Sequence, residues 1–70
     1  MRLNDLNIGE SKIIKKILDN KLTLRFIEMG VFPGEKVKII NINNKQNLIV
    51  IQITDYLLCI RDKEAKEIEV

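Results

Sequence analysis

Few side chains in this 70-residue chain could do chemistry, and their spacing narrows the options further. There is no histidine, so the commonest metal ligand and the commonest general base at neutral pH are both missing. Cys59 is the only cysteine, which excludes an intramolecular disulfide. It stands in the apolar run Leu57-Leu58-Cys59-Ile60, and this context predicts a buried, inert thiol. Glu64 and Glu67 stand one helical turn apart, and Asp19 and Glu28 are a second pair that folding could bring together. Such pairs are usually solvated surface, and carboxylates alone make a weak Fe(II) site. Gly9, Gly30 and Gly34 are too widely spaced for a phosphate-cradling loop. No catalytic residue, cofactor site or metal site emerges, and Fe2+ finds no support in the ligand types present.

The composition limits partners as well. Lys and Arg exceed Asp and Glu by 12 to 10, a net charge of +2 that mixes along the chain. That is too weak to argue for nucleic acid. Small barrels that bind nucleic acid use several surface aromatics in a basic groove. Here Tyr56 is the one surface aromatic expected, and Lys36 and Lys38 form a single row. Apolar runs such as Leu48–Ile51 fall far short of the ~20 residues a membrane helix needs. The opening "MRLNDL" does not read as a signal peptide, because Asp5 interrupts it. These features predict a soluble cytoplasmic protein without direct membrane insertion.

The elements that must position these residues can be read in turn. Seventy residues suit one domain, which buries only roughly 60% of its unfolded surface. Leu3 and Leu6 are spaced to pack down in the leading segment, and Gly9 breaks it. In "SKIIKKIL" (11–18) the apolar residues fit a helix or a bulged strand. The brackets of Gly9 and Asp19-Asn20 favour the strand. Asp19-Asn20 offers an N-cap for a short helix in which Leu22, Phe26 and Met29 form one apolar stripe. Gly30 is placed to stop it in a left-handed cap. Phe32-Pro33-Gly34-Glu35 reads as a type II turn, with Pro33 pre-setting φ and Gly34 supplying positive φ.

A strand follows in "EKVKIINI", with Val37 and Ile39 inward, Lys36 and Lys38 outward, and a bulge at Ile39-Ile40. "NNKQN" (43–47) is a hairpin connection, and "LIVIQI" (48–53) is apolar on both faces, as a central strand should be. Thr54-Asp55 makes a tight turn into the strand "YLLCI" (56–60). "RDKEAKE" allows one helical turn, and "IEV" ends the chain as a strand that pairs with an earlier edge. A sheet this small must curl to bury one face and protect its edges. The expected fold is mainly β: a small SH3-like or OB-like barrel of five strands, partly open, with one short helix between the first and second. Ile40, Ile42, Ile49, Ile51, Ile53, Tyr56 and Leu57 exceed the need of one sheet face. Either the helix and the leading segment cover both faces, or part of this surface meets a partner.

The run "LRFIEMGVFPGEKVKI" resembles the signature of the FeoA family. There an Arg-Leu pair, a Met-Gly or Leu-Gly pair and a Pro-Gly pair precede a Val-rich strand. Arg25, Phe26, Met29, Gly30, Pro33, Gly34 and Val37 occupy those places, with Phe26 in place of the usual leucine. "MRLNDLNIGE" is similar to the family's opening. "YLLCIRDKEAKEIEV" is similar to its close, through Arg61, Glu64, Ala65, Ile68 and Val70. The hairpin "NNKQN" and Asp55 depart from the family's habit of Pro or Gly in these loops. The resemblance covers nearly the whole chain. It implies an SH3-like barrel, also known as the C-terminal domain of repressors resembling the diphtheria toxin repressor, though no helix-turn-helix is present here.

The resemblance further implies a cytoplasmic accessory or regulator of bacterial ferrous iron uptake, recruited to the inner face of the membrane. Its partner would be the membrane ferrous iron permease with its GTP-binding domain (FeoB-like). Weak homo-oligomerisation is compatible with this. The competing expectation is a small Fe2+-sensing or metal-binding barrel. The expected contact residues are Arg25, Met29, Phe32 and Tyr56, with Gly30, Pro33 and Gly34 shaping the cap and turn.

Overall fold

A computed structural model describes all of residues 1–70. After a 3-10 turn at Leu3–Asp5 come β1 (Ser11–Ile13), β2 (Lys16–Ile17), α1 (Asn20–Glu28) and β3 (Lys36–Asn43). Then follow β4 (Leu48–Ile53), β5 (Tyr56–Arg61), α2 (Asp62–Ala65) and β6 (Ile68–Glu69). The strands form an antiparallel sheet of order β1-β3-β4-β5 and a small β2-β6 ribbon. This is a mainly β, partly open SH3-like barrel.

The expected first strand, 11–18, is in fact two strands serving different sheets. Ser11–Ile13 pair with Val37 and its neighbours on β3, whereas Lys16 and Ile17 pair with Glu69 and Ile68. The break lies at Ile14-Lys15. Ile14 N–H donates to Glu35 O at 2.9 Å, and the next amide, Lys15, donates to Glu69 O at 2.8 Å. The backbone thus changes partner between consecutive residues. Burying Ile14 forces this corner, since its side chain is almost wholly enclosed while Ile13 is exposed. Five strands therefore become six by one bend.

The core draws on every element except β1. Ile49, Ile51 and Ile53 of β4 alternate inward and meet Phe26 of α1, Val37 and Ile39 of β3, and Ile60 of β5. Leu3, Leu6, Ile68 and Val70 close the ends. The other β4 residues, Leu48, Val50 and Gln52, are half-buried on the outer face, as befits a central strand. The pairing of β3 with β4 slips between Ile39 and Asn41, the bulge expected at Ile40.

Candidate functional site

The C-terminal end of α1 is built by local sequence chemistry. Asp19 caps the start, its Oδ1 accepting Lys21 N–H at 2.8 Å. At the end, Val31 N–H donates to Phe26 O at 2.8 Å and Gly30 N–H to Ile27 O at 3.0 Å. This nested pair is a Schellman motif. It needs a left-handed residue at Gly30, whose φ is +82°. Val31 and Phe26 are both fully buried, which supplies the apolar contact that accompanies such a cap. Glu35 N–H then donates to Phe32 O at 3.2 Å around Gly34, with φ +96°, as the type II turn requires. Gly34 N–H donates to Ile14 O at 2.9 Å, which pins the turn to the corner between β1 and β2.

Of the four expected contact residues, three share this end of the molecule. Met29 is half-buried against the core. Phe32 is 36% exposed and Tyr56 44% exposed. The Tyr56 hydroxyl donates to Met29 O, which ties the start of β5 to the end of α1. Leu24 and Ile27 on the outer side of α1 are exposed as well, although the sequence placed neither among the contact residues. Their signal was available: both lie off the Leu22-Phe26-Met29 stripe that faces the core.

Arg25 belongs to a different constellation. Its guanidinium meets Glu64 Oε2 at 2.9 Å, the one ion pair in the chain. Glu64 is nearly buried, and its Oε1 accepts Arg61 N–H at 2.9 Å. This carboxylate joins α1 to α2 and caps α2 at once. Glu64, expected with Glu67 as solvated surface, is instead buried and structural. Asp19 and Glu28 stand at opposite ends of α1, about 13 Å apart along its axis. No three His, Cys, Asp or Glu side chains come together.

Cys59 is exposed, contrary to the buried thiol expected from its apolar context. The reason is parity: β5 alternates, Ile60 faces the core, and Cys59 takes the outer face beside Val50. The surface depressions are shallow and polar; one of about 410 Å³ lies between α1 and α2, lined by Asp19, Leu22, Arg25, Lys63, Glu64 and Glu67. No helix is long and apolar enough to cross a membrane.

The FeoA domain family matches residues 1–70. By sequence, no curated protein matches. Among solved structures, iron(II) transport protein A from Clostridium thermocellum is similar at 30% identity and a TM-score of 0.89, over 99% of this chain and 43% of that one. FeoA from Chlorobium tepidum is 23% identical with a TM-score of 0.89, over 99% of this chain and 67% of its own. FeoA from Stenotrophomonas maltophilia, described as a prokaryotic SH3 domain protein and solved with zinc, is 22% identical with a TM-score of 0.85, over 100% and 88%. With a family match spanning its whole length and a barrel that superimposes on these structures, the chain belongs to the FeoA family.

Proposed function

We propose that this chain is a non-enzymatic, cytoplasmic accessory of bacterial ferrous iron uptake. It acts by binding the membrane ferrous iron permease through that protein's GTP-binding domain. The match to the FeoA domain over residues 1–70 carries this reading. The relatives named for iron(II) transport and FeoA support it. So does the residue inventory, which holds no histidine and a single cysteine.

The contact face of this proposal is the outer side of α1 and its C-terminal end. Leu24, Ile27, Phe32 and Tyr56 leave apolar surface outside the core there. Such patches on small domains commonly mark partner contacts. Tyr56 and Met29 are tethered by their hydrogen bond, so this surface is held in shape before any partner arrives.

The second reading, a metal-binding barrel, has one observation in its favour: the Stenotrophomonas relative was solved with zinc. Anaerobic calorimetry separates the two. The accessory reading expects heat with the isolated GTP-binding domain, and expects Phe32→Ala to weaken it. Stoichiometric, micromolar Fe(II) binding together with no response to that domain would replace the accessory reading with the sensor.

A further inference from the structure

The two outer strands of the four-stranded sheet are protected very differently. At one edge β1 has three residues, one of them Lys12, and then the chain bends away. Short strands and lysines are the usual means of blunting an edge. At the other edge β5 runs for six residues, Tyr-Leu-Leu-Cys-Ile-Arg, with no proline, lysine or bulge. Leu57 is 60% exposed and Cys59 is exposed beside it.

The direction of the free backbone groups follows from the ladder. Asp62 N–H donates to Asn47 O at 2.8 Å, just beyond the Leu48 and Arg61 pair. Antiparallel strands alternate hydrogen-bonded and non-bonded pairs. Residues 56, 58 and 60 therefore bond to β4, and the backbone groups of Leu57 and Cys59 point outward. Neither residue's backbone takes part in any of the loop, cap or side-chain hydrogen bonds. The Arg61 amide, also outward, is taken by Glu64.

Charge then selects the occupant. The edge begins after Asp55 and ends at Arg61, both exposed. Neither is in an ion pair, since the only pair is Arg25 with Glu64. Read antiparallel against itself, Asp-Tyr-Leu-Leu-Cys-Ile-Arg places acid against base at both ends and apolar residues between. We propose that β5 is a self-association edge, which pairs antiparallel with β5 of a second copy about a two-fold axis through Leu58. In that register Asp55 meets the partner copy's Arg61, Tyr56 its Ile60 and Leu57 its Cys59. The outward backbone groups of residues 57 and 59 exchange about four hydrogen bonds, and the two sheets join into one. Slipping the register by two residues, the smallest step that keeps the outward backbone groups facing one another, puts Arg61 against Leu57 in one direction, or Asp55 against Cys59 in the other. Only the central register matches both charges, and it is isologous, so it closes at the dimer. The edge is short, so the association is weak.

Sedimentation equilibrium of the full chain tests this, together with a charge exchange across the axis. The wild type should rise from its monomer mass of 8.2 kDa towards the dimer as its concentration approaches about 1 mM. Asp55→Lys and Arg61→Glu should each remain monomeric, because each sets like charges against one another. An equimolar mixture of the two should regain the wild-type association, because every end is then matched. Both substitutions are at exposed positions, and circular dichroism confirms that each variant is folded. The amides of Leu57 and Cys59 should shift with wild-type concentration. A wild type that stays at the monomer mass at about 1 mM overturns the proposal. Single variants that associate as the wild type does, or a mixture that fails to recover, overturn the register and with it the choice of occupant.

Discussion

Replacing Gly30 by alanine tests whether the stop of α1 and the tyrosine that holds it act as one unit. An added Cβ would lie 2.5 Å from the Tyr56 hydroxyl oxygen, and the backbone there has φ +82°. The left-handed conformation costs a non-glycine residue about 1–2 kcal/mol. Moving the hydroxyl aside also breaks its hydrogen bond to Met29 O, a further loss of about 0.5–1.5 kcal/mol. The sum is about 1.5–3.5 kcal/mol, against a total stability of about 3.5–10 kcal/mol for 70 residues. Urea denaturation followed by circular dichroism should show the loss, with the melting point falling by on the order of 10–20 °C. Gly34→Ala is the control. Its φ is +96°, but nothing lies within 4 Å of the added Cβ, so only the backbone cost of about 1–2 kcal/mol applies. Tyr56→Phe completes a double-mutant cycle, because it removes the clashing oxygen and leaves the ring. In that background Gly30→Ala should cost only the backbone amount. Equal costs of Gly30→Ala in both backgrounds, within about 0.3 kcal/mol, would refute the coupling.

Three further outcomes are expected. Glu64→Ala should destabilise by about 1–3 kcal/mol, because it removes the acceptor of Arg61 N–H as well as the ion pair. Arg25→Ala should cost less than about 1 kcal/mol, because the arginine side chain is 60% exposed; the reverse order in chemical denaturation would contradict the role given to Glu64. Thr54 takes φ +55° at the first position of the β4–β5 turn, where hairpins prefer glycine, so Thr54→Gly should raise the denaturation midpoint by about 0.5–1 kcal/mol of stability. Cys59 should react fully with a thiol-specific reagent in the native protein, and protection until denaturant is added would contradict its exposure.

Much of the fold was legible wherever local chemistry decides the outcome. Gly30 after the Leu22-Phe26-Met29 stripe, and Pro33-Gly34 after it, specify a stop and a turn within a few residues. The alternation slip at Ile39-Ile40 announced the bulge. What stayed hidden depends on partners distant in sequence. The corner at Ile14 arises because β3 and β6 compete for one short stretch of backbone. The exposure of Cys59 depends on strand parity at a sheet edge, whereas its apolar neighbours suggested burial. The same distance limits the site: the Arg25–Glu64 pair spans 39 positions, from residue 25 to residue 64, and the Tyr56–Met29 bond spans 27. Neither has a local signature. Tyr56 could be chosen as a surface aromatic, but not as the clasp of the α1 cap.

The most direct test of the transporter-accessory reading is an NMR titration of the labelled chain with the permease's isolated cytoplasmic GTP-binding domain, with and without nucleotide. Localised shifts are expected at Leu24, Ile27, Met29, Gly30, Phe32 and Tyr56, along the outer side of α1 and around its C-terminal end. A spectrum unchanged at saturating domain concentration would contradict the proposed contact. Shifts confined to the opposite surface would place it on the wrong face.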